Sequence, residues 1–303
     1  MHSASPSRLS RREWLGAAAV VSAAPALAGN RIDRARISAV TDEIARTPEA
    51  AIAFARQYGL KWVELRSFPA KGRGEYFLLP EAELKQAARE FKDAGLGVSF
   101  LNTSMCKYLL PGTTPANPRT KPSGRFDKRF DELKKAIAAA HILGVNKIRV
   151  FCFMRVADAE ALFPCVSEIL LELADIAGRD KMTLLVENEG ACNVGTAAEM
   201  AKFINMTPSK WLGVNWDPHN AANRKEVAYP DGYNLLPPKR IGNVQIKGKS
   251  LLYPDEKMDW AAIFRRLEKD GYKGQVGLET HIFGDIQIQK SHESIQEILR
   301  ITG

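Results

Sequence analysis

Past residue 35 the chain keeps a regular beat. A short apolar, β-branched stretch is followed by an amphipathic helical stretch, eight times over. The strand-like stretches begin near residues 37, 61, 97, 147, 182, 211, 241 and 274. Seven are followed by a clear helical pattern, among them Pro80 to Ala94, Phe126 to Leu143 and about Ala157 to Ala177. The sixth is followed only by a short candidate, Tyr233 to Leu236. The boundaries carry their own chemistry. Thr47 offers an oxygen to a helix N-terminus, and Pro48 fits the first turn. Gly95, Gly144 and Gly271 stand where helices should end.

Strict alternation of strand and helix requires parallel strands joined by crossovers. Eight such units in about 270 residues predict an α/β fold closed into a (β/α)8 TIM barrel. A doubly wound open sheet is the competing architecture, but no G-x-G-x-x-G follows the first strand. With 45% hydrophobic residues, the chain has enough apolar side chains for a large core.

The first residues read as an address. Ser10-Arg11-Arg12-Glu13-Trp14-Leu15 precedes the apolar stretch Gly16 to Ala24, and Ala26-Leu27-Ala28 follows. A basic start, a short apolar segment and an A-x-A site make a secretory signal. Residues 1–28 are therefore expected to be cleaved, and 29–303 to form one barrel domain. The paired arginines resemble the bacterial twin-arginine export motif, with Trp14 where Phe is usual. This predicts a periplasmic or otherwise exported protein. The apolar stretch is far shorter than the ~20 residues of a spanning helix, so no stable membrane insertion is expected.

The formal charge is +8, with Lys and Arg spread along the chain and no basic run. Nucleic-acid binding usually needs clustered basic residues, so no nucleic-acid partner is expected; a mildly basic surface suits small anions. Cys106, Cys152, Cys165 and Cys192 show no C-x-x-C spacing. This argues against a zinc knuckle or redox pair and favours burial as small apolar residues. An exported protein can form disulfides, but spacing does not pair these four. The oligomeric state is open, a homo-oligomer included.

In a barrel of this kind the active site lies at the C-terminal ends of the strands. The fifth strand ends at Glu187, the sixth at Asp217 in N-W-D-P-H-N, and the eighth at Glu279 in G-L-E-T-H. The seventh carries Gln245 in V-Q-I-K-G. Four oxygen-bearing side chains thus come from four successive strands, which lie ~4.8 Å apart. Three carboxylates around one point repel unless a cation sits among them. Oxygen ligation without thiolate suits Mn²⁺, Mg²⁺ or a similar ion.

These motifs resemble those of the xylose isomerase-like TIM barrels, the sugar phosphate isomerase/epimerase superfamily. The likeness covers nearly all of the chain past residue 35. It includes I-S-A-V-T-D-E-I at the first strand, V-E-L-R, I-R-V-F, V-E-N, W-D-P-x-N, Y-P-D-G-Y and G-L-E-T-H. The resemblance implies one divalent metal ion, Mn²⁺ foremost with Mg²⁺, Co²⁺ or Zn²⁺ as alternatives, held by Glu187, Asp217, Gln245 and Glu279. It also implies that Glu187 and Glu279 act as base and acid on opposite faces of a sugar or keto-sugar. Two positions depart from the common pattern. Gln245 stands where many members have His, and Gly248 where they have an acid. Asn220 stands where many have the His of D-x-x-H, with His219 one residue earlier.

The shared first step of such enzymes is removal of a proton next to a carbonyl. Returning it to the same carbon from the other face is epimerisation, and returning it to the adjacent carbon is isomerisation. Expelling a β-substituent makes the enzyme a lyase or dehydratase. The leading expectation is an isomerase or epimerase, with a lyase acting on a 3-keto-glycoside or keto acid as the alternative. An apurinic endonuclease would need more histidines than the five present. A non-catalytic sugar-binding protein would not need all four ligand positions. Lys247, His219, Asn220, His281, Arg149 and Glu64 are the candidate substrate contacts. For Arg149 and Glu64, an ion pair filling the barrel is the competing reading. The long loops Ser67 to Leu79, Thr103 to Gly124 and Pro218 to Arg240 are expected to cover the pocket.

Overall fold

The computed structural model describes residues 31–253, 255 and 258–303. The export signal read in residues 1–28 lies outside them. Eight parallel strands form one sheet: β1 (Ile37–Ala39), β2 (Trp62–Leu65), β3 (Gly97–Leu101), β4 (Lys147–Val150), β5 (Thr183–Glu187), β6 (Leu212–Trp216), β7 (Ile241–Lys247) and β8 (Val276–Glu279). Their order is β1-β8-β7-β6-β5-β4-β3-β2, and a parallel bridge between Val40 and Glu64 brings the two edges together. The sheet is a nearly closed (β/α)8 barrel.

Around it run α1 (Thr41–Ile44), α2 (Pro48–Gln57), α3 (Glu81–Asp93), α4 (Arg129–Leu143), α5 (Phe163–Arg179), α6 (Ala197–Asn205), α7 (Pro218–Asn223), α8 (Tyr233–Leu235), α9 (Gly248–Leu252), α10 (Trp260–Lys269) and α11 (Gln287–Thr302). Local chemistry sets several of their ends. Thr47 accepts from the Ala50 amide, with Pro48 behind it. Thr196 and Glu199 form a reciprocal capping box on α6. Gly144 ends α4 at φ +70°, a conformation open to glycine.

Some boundaries differ from the sequence reading. The first strand stops at Ala39, because Thr41–Ile44 turns into a short helix at the barrel mouth. Helix α5 begins only at Phe163, next to Pro164, which fits a first turn and not a helix interior. The sixth unit has a helix after all, at Pro218–Asn223. Asp217 caps it by accepting from the Asn220 amide at 2.8 Å. Six residues are too few to show a helical period. Cys106, Cys152 and Cys192 are buried thiols, but Cys165 is exposed on α5, against the expectation of burial, and none is in a disulfide.

Strands covered on both faces are buried throughout, which is why they read as continuous apolar runs. The middle of the barrel interior is nevertheless polar. Glu64, fully buried, accepts from Ser38 Oγ at 2.9 Å, Asn102 Nδ2 at 2.9 Å, Gln245 Nε2 at 2.7 Å and Asn243 Nδ2 at 3.4 Å. Gly277 on β8 makes room for this carboxylate, since a Cβ there would collide with Glu64 Oε1. No described helix is long and apolar enough to cross a membrane.

Candidate active site

Strand ends deliver the acids to one place. Oxygens of Glu187, Asp217 and Glu279 all lie within 4.8 Å of one another at the C-terminal mouth, and all three side chains are buried. Three buried carboxylates this close need compensation, and neighbouring strands supply it. From β4, Arg149 donates to Glu187 Oε2 at 2.9 Å. From the end of β7, Lys247 lies 3.1 Å from Asp217 and ion-pairs with Glu279. Just past β2, Arg66 reaches Glu279 at 2.6 Å, Asp42 at 2.7 Å and Glu43 at 2.5 Å.

The environment separates the acids. Burial pushes the Asp217 carboxyl up to about 7; Lys247 opposes this, while Glu187 and Glu279 add to it. Burial also works against a charged Glu279, but Lys247, Arg66 and Arg149 outweigh it and hold that carboxyl well below the usual range. Glu187 is fixed by donors: Arg149 and Asn215 on Oε2, the latter at 2.9 Å, and Asn220 on Oε1 at 3.3 Å.

The other candidates fall into different places. Asn220 braces Glu187 and the Asn188 carbonyl from α7, and its backbone amide donates to Asp217 Oδ1. His219 is buried beside it. His281 sits half-exposed at the rim, with Nδ1 3.7 Å from Glu279 and its backbone held at φ +51°. Its amide donates to Glu43 at 3.1 Å. Gln245 lies a step below the mouth: strand pairing sets it against Gly277, as it sets Lys247 against Glu279. Glu64 lies in the same lower layer and does not line the mouth cavity.

That cavity measures about 200 Å³. Of the predicted residues Glu187, Glu279, Lys247, Arg149 and His281 line it, and Asp217, Gln245, His219 and Asn220 do not; the rest of the lining is Arg66, Ser67, Glu75, Ser104, Lys107, Phe151 and Glu189. Of the three long loops, the first brings Glu75, which accepts from the Ser104 amide at 2.8 Å. The second brings Ser104 and Lys107, and Lys107 pairs with Glu189 at 2.8 Å. Sequence reasoning missed these seven as site residues. Arg66 and Glu189 had a signal, since each is a charged residue at or just past a strand end. A larger cleft of about 570 Å³, around Trp62, His141 and Lys181, opens at the opposite end of the barrel and holds none of the strand-end acids.

Three features at and just below the mouth suit a divalent cation. Oxygen ligands ~2.1 Å from one ion stand ~3–4 Å apart, a spacing the three clustered carboxylates can meet. The buried Gln245 Oε1 has no hydrogen-bond partner among the described residues. Lys247 shows that Asp217 and Glu279 already draw a positive charge between them. The all-oxygen donor set matches Mg²⁺ or Mn²⁺ better than a thiolate-seeking metal.

The comparisons bear on the fold and the family. The family model of the xylose isomerase-like TIM barrel matches residues 52–301, and the chain belongs to that family. A search of the curated proteins returns no significant match. Among solved structures, the IOLI protein with a bound zinc atom has a TM-score of 0.67 at 16% identity, over 88% of this chain and 96% of that one. The probable 3-DHS dehydratase AsbF from Bacillus anthracis has a TM-score of 0.67 at 13% identity, over 87% and 98%. The 3-keto-D-glucoside 4-epimerase YcjR from E. coli has a TM-score of 0.63 at 15% identity, over 88% and 98%. At such identities the likeness is one of fold.

Proposed function

We propose that this protein is a divalent-metal-dependent isomerase or epimerase that removes a proton next to the carbonyl of a sugar or keto-sugar. The observation that carries the reading is the meeting of Glu187, Asp217 and Glu279 within 4.8 Å at the barrel mouth, where Glu187 and Glu279 line a small polar cavity. A divalent ion held by these acids and Gln245 supplies Lewis acidity toward the negative charge that develops on a substrate oxygen. The remaining work belongs to the chain. Glu187, aimed by Arg149, Asn215 and Asn220, takes the proton on one face. Glu279, kept ionised by Lys247 and Arg66, serves the other face. Lys107 and Lys247 offer donors to hydroxyl or carbonyl oxygens, Glu75 and Glu189 accept from hydroxyls, and Phe151 offers an apolar face to a ring. The leader-like residues 1–28 support a periplasmic or otherwise exported enzyme and favour an unphosphorylated substrate.

The test is incubation of the metal-loaded protein in D₂O with a panel of free and 3-keto sugars. One of them should gain deuterium on carbon, seen by mass spectrometry, and a chelator should stop the exchange. No exchange in any candidate, or exchange indifferent to the chelator, defeats the reading. The second reading is a lyase, favoured by the dehydratase fold neighbour, whose TM-score of 0.67 equals the highest reported above. β-Elimination yields a conjugated enone with ultraviolet absorbance, which epimerisation does not.

A further inference from the structure

Glu64 and Gln245 lie 181 residues apart in sequence and meet inside the barrel, with Gln245 Nε2 donating to Glu64 Oε2 at 2.7 Å. A carboxylate accepts only, so the side of the amide that faces it must be the NH₂ group. Ser38, Asn102 and Asn243 supply three more donors to Glu64. Four donors match the four lone-pair sites of a carboxylate. Nothing in that shell offers a reason for the amide to turn over. The oxygen is then the arm of Gln245 that points away from Glu64, and it is buried without a protein partner among the described residues. Two residues further along the same two strands stand Lys247 and Glu279, at the acid cluster.

We infer that Glu64 is a positioning residue: it locks the Gln245 amide with its oxygen free for the divalent ion. The inference rests on the metal-dependent reading above. An amide can present either a donor or an acceptor to a cation, and only the acceptor binds. Histidine solves the same problem by tautomer, fixed through its second nitrogen. Here Glu64 does for a glutamine what a carboxylate does for a metal-bound imidazole. Gly277 belongs to the device, since any side chain there would displace the Glu64 carboxylate.

The experiment is calorimetric titration of Mn²⁺ into metal-stripped protein, with circular dichroism to confirm folding. Glu64→Gln, which can present NH₂ to the amide and turn it over, should weaken Mn²⁺ binding ~10-fold or more. The same change made in a Gln245→Glu background should cost nothing, because a carboxylate has an oxygen on both arms. A purely structural role for Glu64 predicts the same loss in both backgrounds. Gln245→Leu removes the oxygen together with one donor to Glu64 and should weaken Mn²⁺ binding ~10-fold or more, which keeps the inference open to refutation even if E64Q does not fold. Equal Mn²⁺ affinity in wild type and Q245L, or an E64Q loss that persists in Q245E, overturns the inference alone. A wild-type protein that binds neither Mn²⁺, Mg²⁺, Co²⁺ nor Zn²⁺ removes the metal reading, and the inference with it.

Discussion

The ammonium of Lys247 stands 3.1 Å from Asp217 and in an ion pair with Glu279, so β7 delivers a positive charge into the cluster that β5, β6 and β8 line with acids. All of these side chains are buried. Removing one partner of a buried ionic cluster leaves the others uncompensated, at a cost of roughly 3–5 kcal/mol. Lys247→Met should therefore lower the melting temperature measured without added metal. Because the same acids form the proposed ion site, Mn²⁺ should raise the melting temperature of the variant more than that of wild type. Equal metal shifts in the two proteins would show that the ammonium and the ion do not share ligands.

Glu187 and Glu279 are assigned opposite faces of the substrate, so their loss should be felt in chemistry. Glu187→Gln and Glu279→Gln should each slow carbon-bound hydrogen exchange by ~10²–10⁴-fold, the usual span for a general acid or base. Exchange rates near wild type in either variant would remove that residue from the reaction.

At the other end of the barrel, Lys147 is bonded to Gln275 Oε1 at 2.9 Å and to the Gly242 carbonyl at 3.2 Å. Burial pulls its ammonium down to about 8. In the unfolded chain a lysine holds its proton to ~10.4. Between those values the unfolded state binds more protons, so stability rises with pH. The cost of burying the charge is present in full below about 8 and is relieved by about 10.5, amounting to ~3 kcal/mol. Raised tyrosines such as Tyr272 pull the other way above ~10. The comparison is therefore denaturant unfolding of wild type and Lys147→Met from pH 8 to 9.5. Wild type should gain on the variant across that window, and parallel curves would refute the account.

Gly277 faces Ser38 across β1 and Gln245 across β7, with Glu64 filling the space above its Cα. Gly277→Ala should destabilise by ~1–3 kcal/mol, since the interior cannot absorb a methyl without displacing the carboxylate. Glu64→Ala in the same chain should recover part of that loss. If thermal melts show the two costs simply adding, the residues are not in steric contact.

The sequence by itself determined the architecture, because the information is local. Each strand is an apolar run, each helix an apolar stripe, and Thr47, Thr196 and Gly144 punctuate them within a few residues. Counting the runs to eight was enough to close a barrel, and the barrel rule then pointed to Glu187, Asp217 and Glu279 at strand ends. Helix α7 escaped because six residues carry no period. What only the tertiary structure decided is the set of partners. Arg66 and Glu279 are 213 residues apart, and Gln245 and Glu64 are 181 apart. No spacing in the chain encodes those pairs; closure of the sheet, which sets β1 between β8 and β2, brings them together. The same closure decided that Glu64 lies below the mouth while Arg66, two residues on, reaches it. Along a strand each residue advances ~3.3 Å, and two such steps, ~6.6 Å, separate a buried support from a side chain in the cavity.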